Sequence, residues 1–323
     1  MIKFLEKYYG GLRRLKASYL LFNRTQAKYL KKQAALYKKH GIQKSVYASV
    51  QSSDFAHLPD ERPWLDHENA ADRMKESLLW PTFSAQLQEA LLKWSEEGFV
   101  LLKAHFAKEF IDALNAEIDR LLEDKTIQFN YTGRKIMFAF RYGEKLAKVA
   151  YDGDIQRIIN FLMGAKMVPF QSINFTKSSE QRAHSDSVHM TTYPLGYMCA
   201  SWTALEDIGA DQGPLIYYPG SHKLPYVLNN SFDHGGSKYF LGKEAYLQYE
   251  EHIQELIRTH NLEPVEFHPE AGDVFIWHGN LLHGARTMNR AELTRKSMVV
   301  HFFNPEAICY HELTQRPAII KTS

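Results

Sequence analysis

His184, Asp186 and His283 supply two imidazoles and a carboxylate, and Arg295 follows further along the chain. Two histidines and one carboxylate fill one triangular face of an octahedron. Such a set suits Fe(II) and leaves coordination positions open for a co-substrate and O₂. Side chains alternate faces on a β-strand, so His184 and Asp186, two residues apart, project to the same side if they share one. The spacing therefore predicts one strand giving two ligands. Ninety-seven residues separate Asp186 from His283, too many for a local loop, so a folded barrel has to return the third ligand.

The surroundings contain elements that can do this. With 15 His in the chain, an HxD tripeptide alone is easily met by chance. Gly272 to Trp277, however, reads as a turn feeding a buried strand that delivers His278 and then His283. Ser297 to Phe303 is a second short apolar strand with Arg295 at its mouth. A guanidinium there can grip a carboxylate with two parallel hydrogen bonds, which a lysine does less well. Helical patterns cover Ser84 to Glu97 and Ala107 to Glu123. An insertion at about 226–265 begins as a loop and looks helical from Lys243 to Thr259.

Several ordered stretches resemble the phytanoyl-CoA dioxygenase family of Fe(II)/2-oxoglutarate-dependent oxygenases. Glu97-Gly98-Phe99-Val100-Leu101-Leu102, before the helix starting near Ala107, looks like the family's opening strand and helix. His184-Ser185-Asp186 looks like its HxD. Asp211-Gln212-Gly213-Pro214-Leu215, running into Pro219-Gly220-Ser221-His222-Lys223, is similar to its central segment. Gly272-Asp273 through His283-Gly284 to Arg295-Lys296-Ser297 is similar to its closing block. Together these reach from about residue 97 to 303, and chance agreement across four ordered blocks is improbable.

The resemblance implies a mainly β fold with flanking helices, built on a double-stranded β-helix (jelly roll, cupin-like) core. It makes His184, Asp186 and His283 the iron ligands and Arg295 the partner of the distal carboxylate of 2-oxoglutarate. Trp202 stands where relatives place a Trp beside the co-substrate, and Asn174 where some use an Asn. The family often carries Gln after the first His; this chain has Ser185. Relatives that halogenate lack the carboxylate, so an intact Asp186 implies hydroxylation or a related oxidation. The implied cofactor is Fe(II), with 2-oxoglutarate and O₂ as co-substrates and succinate and CO₂ as products.

Other polar residues weigh against ordinary roles. His189 and Tyr193 can face a substrate or be solvated or hydrogen-bonded in a loop. His222 reads as turn structure. His278 and His301 read as neighbours of the ligands or core residues before ligands. Arg286 and Arg290 compete with Arg295, and their place in the preceding loop favours an outer role.

A chain of 323 residues, 45% hydrophobic and 13% aromatic, can bury a full core. Cys199 and Cys309 are its two cysteines, which excludes a disulfide framework or a Cys-based zinc site. No apolar run has signal-peptide or membrane-span length, so the expected location is cytoplasmic, with membrane association left open. The first 45 residues hold twelve Lys or Arg against Glu6 alone, a net +11, so the rest carries −9 within a total of +2. Leu12, Leu15, Tyr19 and Phe22, then Leu30, Ala34 and Tyr37, recur at helical spacing within this basic arm. Residues 1–45 can therefore lie on an anionic membrane or pack their stripe on the barrel or a partner subunit, with the cations solvated.

Residues 50–66, rich in Ser, Asp and Pro, read as a linker. The expected organisation is a basic helical extension and linker over 1–80 and the oxygenase domain over 81–323. The expected partner is a small-molecule or lipid-like substrate. No base-reading module is visible, so nucleic acid is not expected. Two alternatives use the same ligands, a non-catalytic jelly-roll binding module and a zinc-type metal hydrolase.

Overall fold

The computed structural model describes residues 15–130, 133–232, 236–237, 239–242 and 244–320. Helices α1 (Lys16–Thr25) and α2 (Ala27–Lys39) come first, then α3 (Ala70–Glu76) and α4 (Ala85–Glu97). The Ser84 side chain caps α4 by accepting from the Leu87 N–H, and Gly98 ends it in the left-handed region at φ 85°. That stop turns the chain directly into strand β1 (Phe99–Leu102). Helix α5 (Lys108–Glu123) buries Ile111, Leu114, Ile118 and Leu121, one face of a 3.6-residue repeat. Strand β2 (Lys135–Met137), helices α6 (Glu144–Ala150) and α7 (Gly153–Met163), and strand β3 (Val168–Phe175) follow.

The second half is mostly strand. Its elements are β4 (Thr191–Tyr193), β5 (Met198–Ala204), β6 (Leu215–Tyr217), helix α8 (Ala245–Thr259), β7 (Val265–Phe267), β8 (Val274–His278), β9 (His283–Ala285), β10 (Ser297–Phe303), β11 (Ile308–His311) and β12 (Arg316–Pro317). An antiparallel six-stranded sheet runs β1-β8-β5-β10-β3-β2, and two three-stranded sheets run β12-β11-β4 and β7-β6-β9. Among the described residues helix exceeds strand, 37% to 19%, yet the strands form the layer on which the helices pack.

Alternation divides the large sheet between two cores. Trp202 pairs with Val299 and with Phe275 across β5, β10 and β8, and these residues join Ile173, Phe175 and Trp277 in the barrel interior. The intervening residues Val274, Ile276, Met298 and Val300 face the other way, against Leu91, Ile111, Leu114 and Ile159 of the helices. Both faces are buried, which is why these strands read as continuous apolar runs.

The basic arm is packed where it is described. Leu30, Leu36 and Tyr37 of α2 join Phe55, Tyr193, Ile308 and Tyr310 in one apolar cluster, and Tyr19 of α1 is buried. The expected stripe is shifted, since Ala34 is exposed while Gln33 and Leu36 are buried. Gln33 accepts the Cys309 N–H through its side-chain oxygen. Phe22 stays exposed, and Leu12 lies outside the described residues. Segment 50–66 is irregular but carries Val50, Phe55 and Leu65 into the core, so it does not behave as a solvated linker. Its polar composition hides three apolar anchors.

Candidate active site

His184, Asp186 and His283 come together at one end of the barrel, with one ligand atom from each lying within 4.8 Å of the others. Asp186 Oδ1 is 3.9 Å from His184 Nε2 and 3.7 Å from His283 Nε2. The backbone that arranges this differs from the strand expected at residues 184–186. His184 makes an isolated bridge to His283, each backbone N–H donating to the other's carbonyl at 2.9 Å. Asp186 instead opens a single 3-10 turn, Asp186–Val188. The first and third ligands are thus cross-strand neighbours, and a turn swings the carboxylate in beside them. The approach is close at Gly284, where an added Cβ would lie 2.8 Å from the Gln181 carbonyl oxygen.

Each ligand is held by a second contact. His184 Nδ1 lies 2.9 Å from the Arg182 carbonyl and His283 Nδ1 lies 3.0 Å from the Leu281 carbonyl. Donation from Nδ1–H to these carbonyls leaves both Nε2 lone pairs facing inward, the tautomer a metal requires. Trp277 Nε1 donates to Asp186 Oδ2 at 2.9 Å, and His301 Nε2 stands 3.6 Å from the same oxygen. Oδ1 is left for a cation. Burial holds His184 well below its ordinary imidazole value, with His283 adding to the effect. Burial opposes charge on Asp186, but His283, His301 and His184 around it outweigh that and keep the carboxyl well below the usual range. Neutral imidazoles and an ionised carboxylate are the forms that bind a metal.

The three ligands line a cavity of about 610 Å³ that also exposes Arg295, Trp202, Trp277, His301, His189 and Lys135. The Arg295 side chain is almost fully buried, its Nη1 donates to Ser297 Oγ at 2.8 Å, and its Nε has no partner. The guanidinium lies 4.9 Å from the Trp202 ring centre. Burial lowers its pKa to about 10, so it remains a cation at neutral pH. A buried cation with an unsatisfied donor, facing a ligand-lined cavity, fits the carboxylate of a small dianion. Arg286 and Arg290 are instead occupied outside by Glu266 and Glu292.

Asn174 does not belong to this site. On β3 the cavity-lining residues are Gln171, Ile173 and Phe175, so Asn174 falls on the opposite face. There it is in register with Met298 and Ile136 of the helix-side core. Residue parity on the strand decides this against the expectation from resemblance. Trp202 does line the cavity. His278 lies on that far face too, with Nε2 3.3 Å from Asp66 and its ring beside Trp94. Tyr193 is structural; its hydroxyl donates to the Pro59 carbonyl and its ring stacks on Phe55.

Sequence reasoning missed the contributions of Trp277 and of α8. Tyr249 accepts the Ser185 N–H at 2.8 Å, and the Ser185 hydroxyl pairs with Ser187, so the residue after the first ligand faces the insertion. Tyr246 lines the cavity; burial raises its pKa to about 12. His189 also lines the cavity, between His184 and His311. The available signals were the i, i+3 pair Tyr246 and Tyr249 on the insertion helix and the inward parity of Trp277 with Phe275.

The family model for phytanoyl-CoA dioxygenase (PhyH) matches residues 94–297, well over half of the chain. A probable phytanoyl-CoA dioxygenase of Caenorhabditis elegans is 30% identical over 136 residues, covering 41% of this chain and 39% of that protein. The peroxisomal phytanoyl-CoA dioxygenase of Mus musculus is 21% identical over 242 residues, 67% of this chain and 68% of that protein. The match thus spans well under half of the first relative's length. Among solved structures, the non-heme alpha ketoglutarate dependent carbocyclase SnoK from nogalamycin biosynthesis superposes with a TM-score of 0.57 at 17% identity, over 75% of this chain and 95% of that one. EctD from S. alaskensis with 2-oxoglutarate and 5-hydroxyectoine gives 0.54 at 20% identity, over 75% and 87%. These likenesses carry the fold, a cupin-like jelly roll with flanking helices. With the match over 94–297, the chain belongs to the phytanoyl-CoA dioxygenase (PhyH) family.

Proposed function

We propose that this protein hydroxylates a small-molecule or lipid-like substrate, using Fe(II), 2-oxoglutarate and O₂ and releasing succinate and CO₂. The observation that carries this reading is the cluster of two inward Nε2 atoms and one free carboxylate oxygen in the same cavity as the partnerless Arg295 Nε. Bound iron, 2-oxoglutarate and O₂ together supply an oxidant that inserts oxygen at a C–H bond.

The protein's own residues do the rest. His184, Asp186 and His283 hold the metal, and Trp277 fixes which oxygen of Asp186 faces it. Arg295, backed by the Trp202 ring and by Ser297, receives the far carboxylate of the co-substrate. Trp202, Val299 and Ile173 make that part of the cavity apolar, which keeps water out. In this reading residues 81–323 carry the catalytic machinery, the described part of residues 1–80 packs into the same cores, and the cytoplasm is the place of action.

The test is succinate formation from 2-oxoglutarate by the Fe(II)-loaded protein with and without O₂. Succinate that depends on O₂ and disappears in Asp186→Ala supports the reading. Production without O₂, or undiminished in that variant, contradicts it.

A further inference from the structure

A second chamber, of about 580 Å³, adjoins the ligand-lined cavity. Gln171, His189, Met190 and His311 belong to the walls of both, so these side chains stand between the two spaces. The rest of the second chamber is largely apolar, with Met137, Phe138, Phe170 and Phe303 on one side and Ile319 and Ile320 on another. Phe22 and Gln26 of α1 close it. Those two residues and everything from Phe303 onward lie outside the segment 94–297 that the family model matches. Part of the basic arm therefore walls a chamber next to the cavity lined by His184, Asp186 and His283. The volume suits a small organic molecule.

Arg141 and Arg316 bring positive charge to this wall, Arg316 as a half-buried side chain. The Arg316 guanidinium lies over the Tyr19 ring, 4.1 Å from its centre, and its Nε is buried with no hydrogen-bond partner. Its neighbour His311 is kept neutral, since burial and the charge of Arg316 lower that imidazole to about 4. A buried donor without an acceptor is costly, about 1–3 kcal/mol, and an oxyanion entering the chamber would satisfy it.

We propose that the second chamber seats the substrate, and that the substrate has an apolar body and an acidic group, the acid meeting Arg316 and the body reaching the metal ligands past His189. This rests on the oxygenase reading above and adds the substrate's chemistry and the residues that select it. Arg316, Phe22 and the 318–320 segment are specificity-determining residues in this assignment.

The test is isothermal titration of the full chain, loaded anaerobically with Fe(II) and 2-oxoglutarate, with dodecanoate, dodecyl phosphate and dodecanol. At least one acid is expected to bind once per chain and at least tenfold more tightly than the alcohol; which acid wins separates carboxylate from phosphate substrates. Arg316→Gln should erase the preference and Arg316→Lys should keep most of it. Ala318→Trp, which fills the chamber, should weaken all three ligands at least tenfold. Equal binding of acids and alcohol by the wild type overturns the proposal, as does a preference that survives Arg316→Gln or binding indifferent to Ala318→Trp. Thermal unfolding of each variant checks its fold, and the wild-type comparison needs no variant. The visible absorption of the Fe(II)–2-oxoglutarate chelate, read on the same samples, separates the two claims. Its loss points to the metal-site reading, whereas its retention without acid preference refutes the chamber alone.

Discussion

Replacing Trp277 by Phe isolates one hydrogen bond of the metal site. Trp277 Nε1 donates to Asp186 Oδ2 at 2.9 Å, while its ring packs against His283 and Phe275 at centroid distances of 4.7 and 6.0 Å. Phe keeps most of that packing and removes the donor. A hydrogen bond to a charged group contributes about 1.5–3 kcal/mol, and roughly 1.4 kcal/mol is a factor of ten in an equilibrium constant. Fe(II) affinity should therefore fall about 10- to 100-fold, the range found for outer partners of metal ligands. His301, 3.6 Å from the same oxygen, moderates the loss and places it toward the lower end. The assay is anaerobic Fe(II) titration at saturating 2-oxoglutarate, with thermal unfolding as the check on folding. A dissociation constant within twofold of wild type, in a folded variant, would refute the argument that Trp277 aims the carboxylate.

Arg295→Ala should raise the 2-oxoglutarate KM at least tenfold with little change in Fe(II) affinity; an unchanged KM would move the role to another cation such as Lys135, which lines the same cavity. Leu30 is 1% exposed, so Leu30→Ala should lower unfolding stability by about 2–5 kcal/mol; a loss below about 0.5 kcal/mol in urea denaturation would mean that α2 does not dock as described. Burial lowers His222 and His311 to about 3 and about 4, so below pH ~6.5 the unfolded chain binds more protons than the folded one. Their stability is fully present above ~6.5 and lost as pH falls toward 4. The metal-free melting temperature should drop across that window, less steeply in His222→Gln, and a flat profile would contradict it.

The clustering of His184, Asp186 and His283 was legible because metal chemistry restricts residue type, and because β8 and β10 announce themselves as apolar runs bounded by Gly272 and Arg295. The insertion helix and α5 were legible from their periodicity, to within two residues at each start. What failed depends on three dimensions. His184 and Asp186 look like strand partners in sequence, but the bridge between His184 and His283 and the turn at Asp186 come from tertiary pairing. Asn174 has the right residue type on the right strand and the wrong parity, which only the register with Met298 reveals. The arm's apolar stripe is periodic in sequence, but its partners are remote: Leu30, Leu36 and Tyr37 meet Ile308 and Tyr310 some 270 residues further along the chain. Among the described residues no helix is long and apolar enough to cross a membrane.

The most direct measurement is the visible absorption that appears when Fe(II) and 2-oxoglutarate are added anaerobically to the protein. Wild type should develop one chelate per chain, Asp186→Ala should develop none, and Arg295→Ala should require at least tenfold more 2-oxoglutarate. No absorption in the wild type, or full absorption in Asp186→Ala, would contradict the assignment of His184, Asp186 and His283 as the metal site.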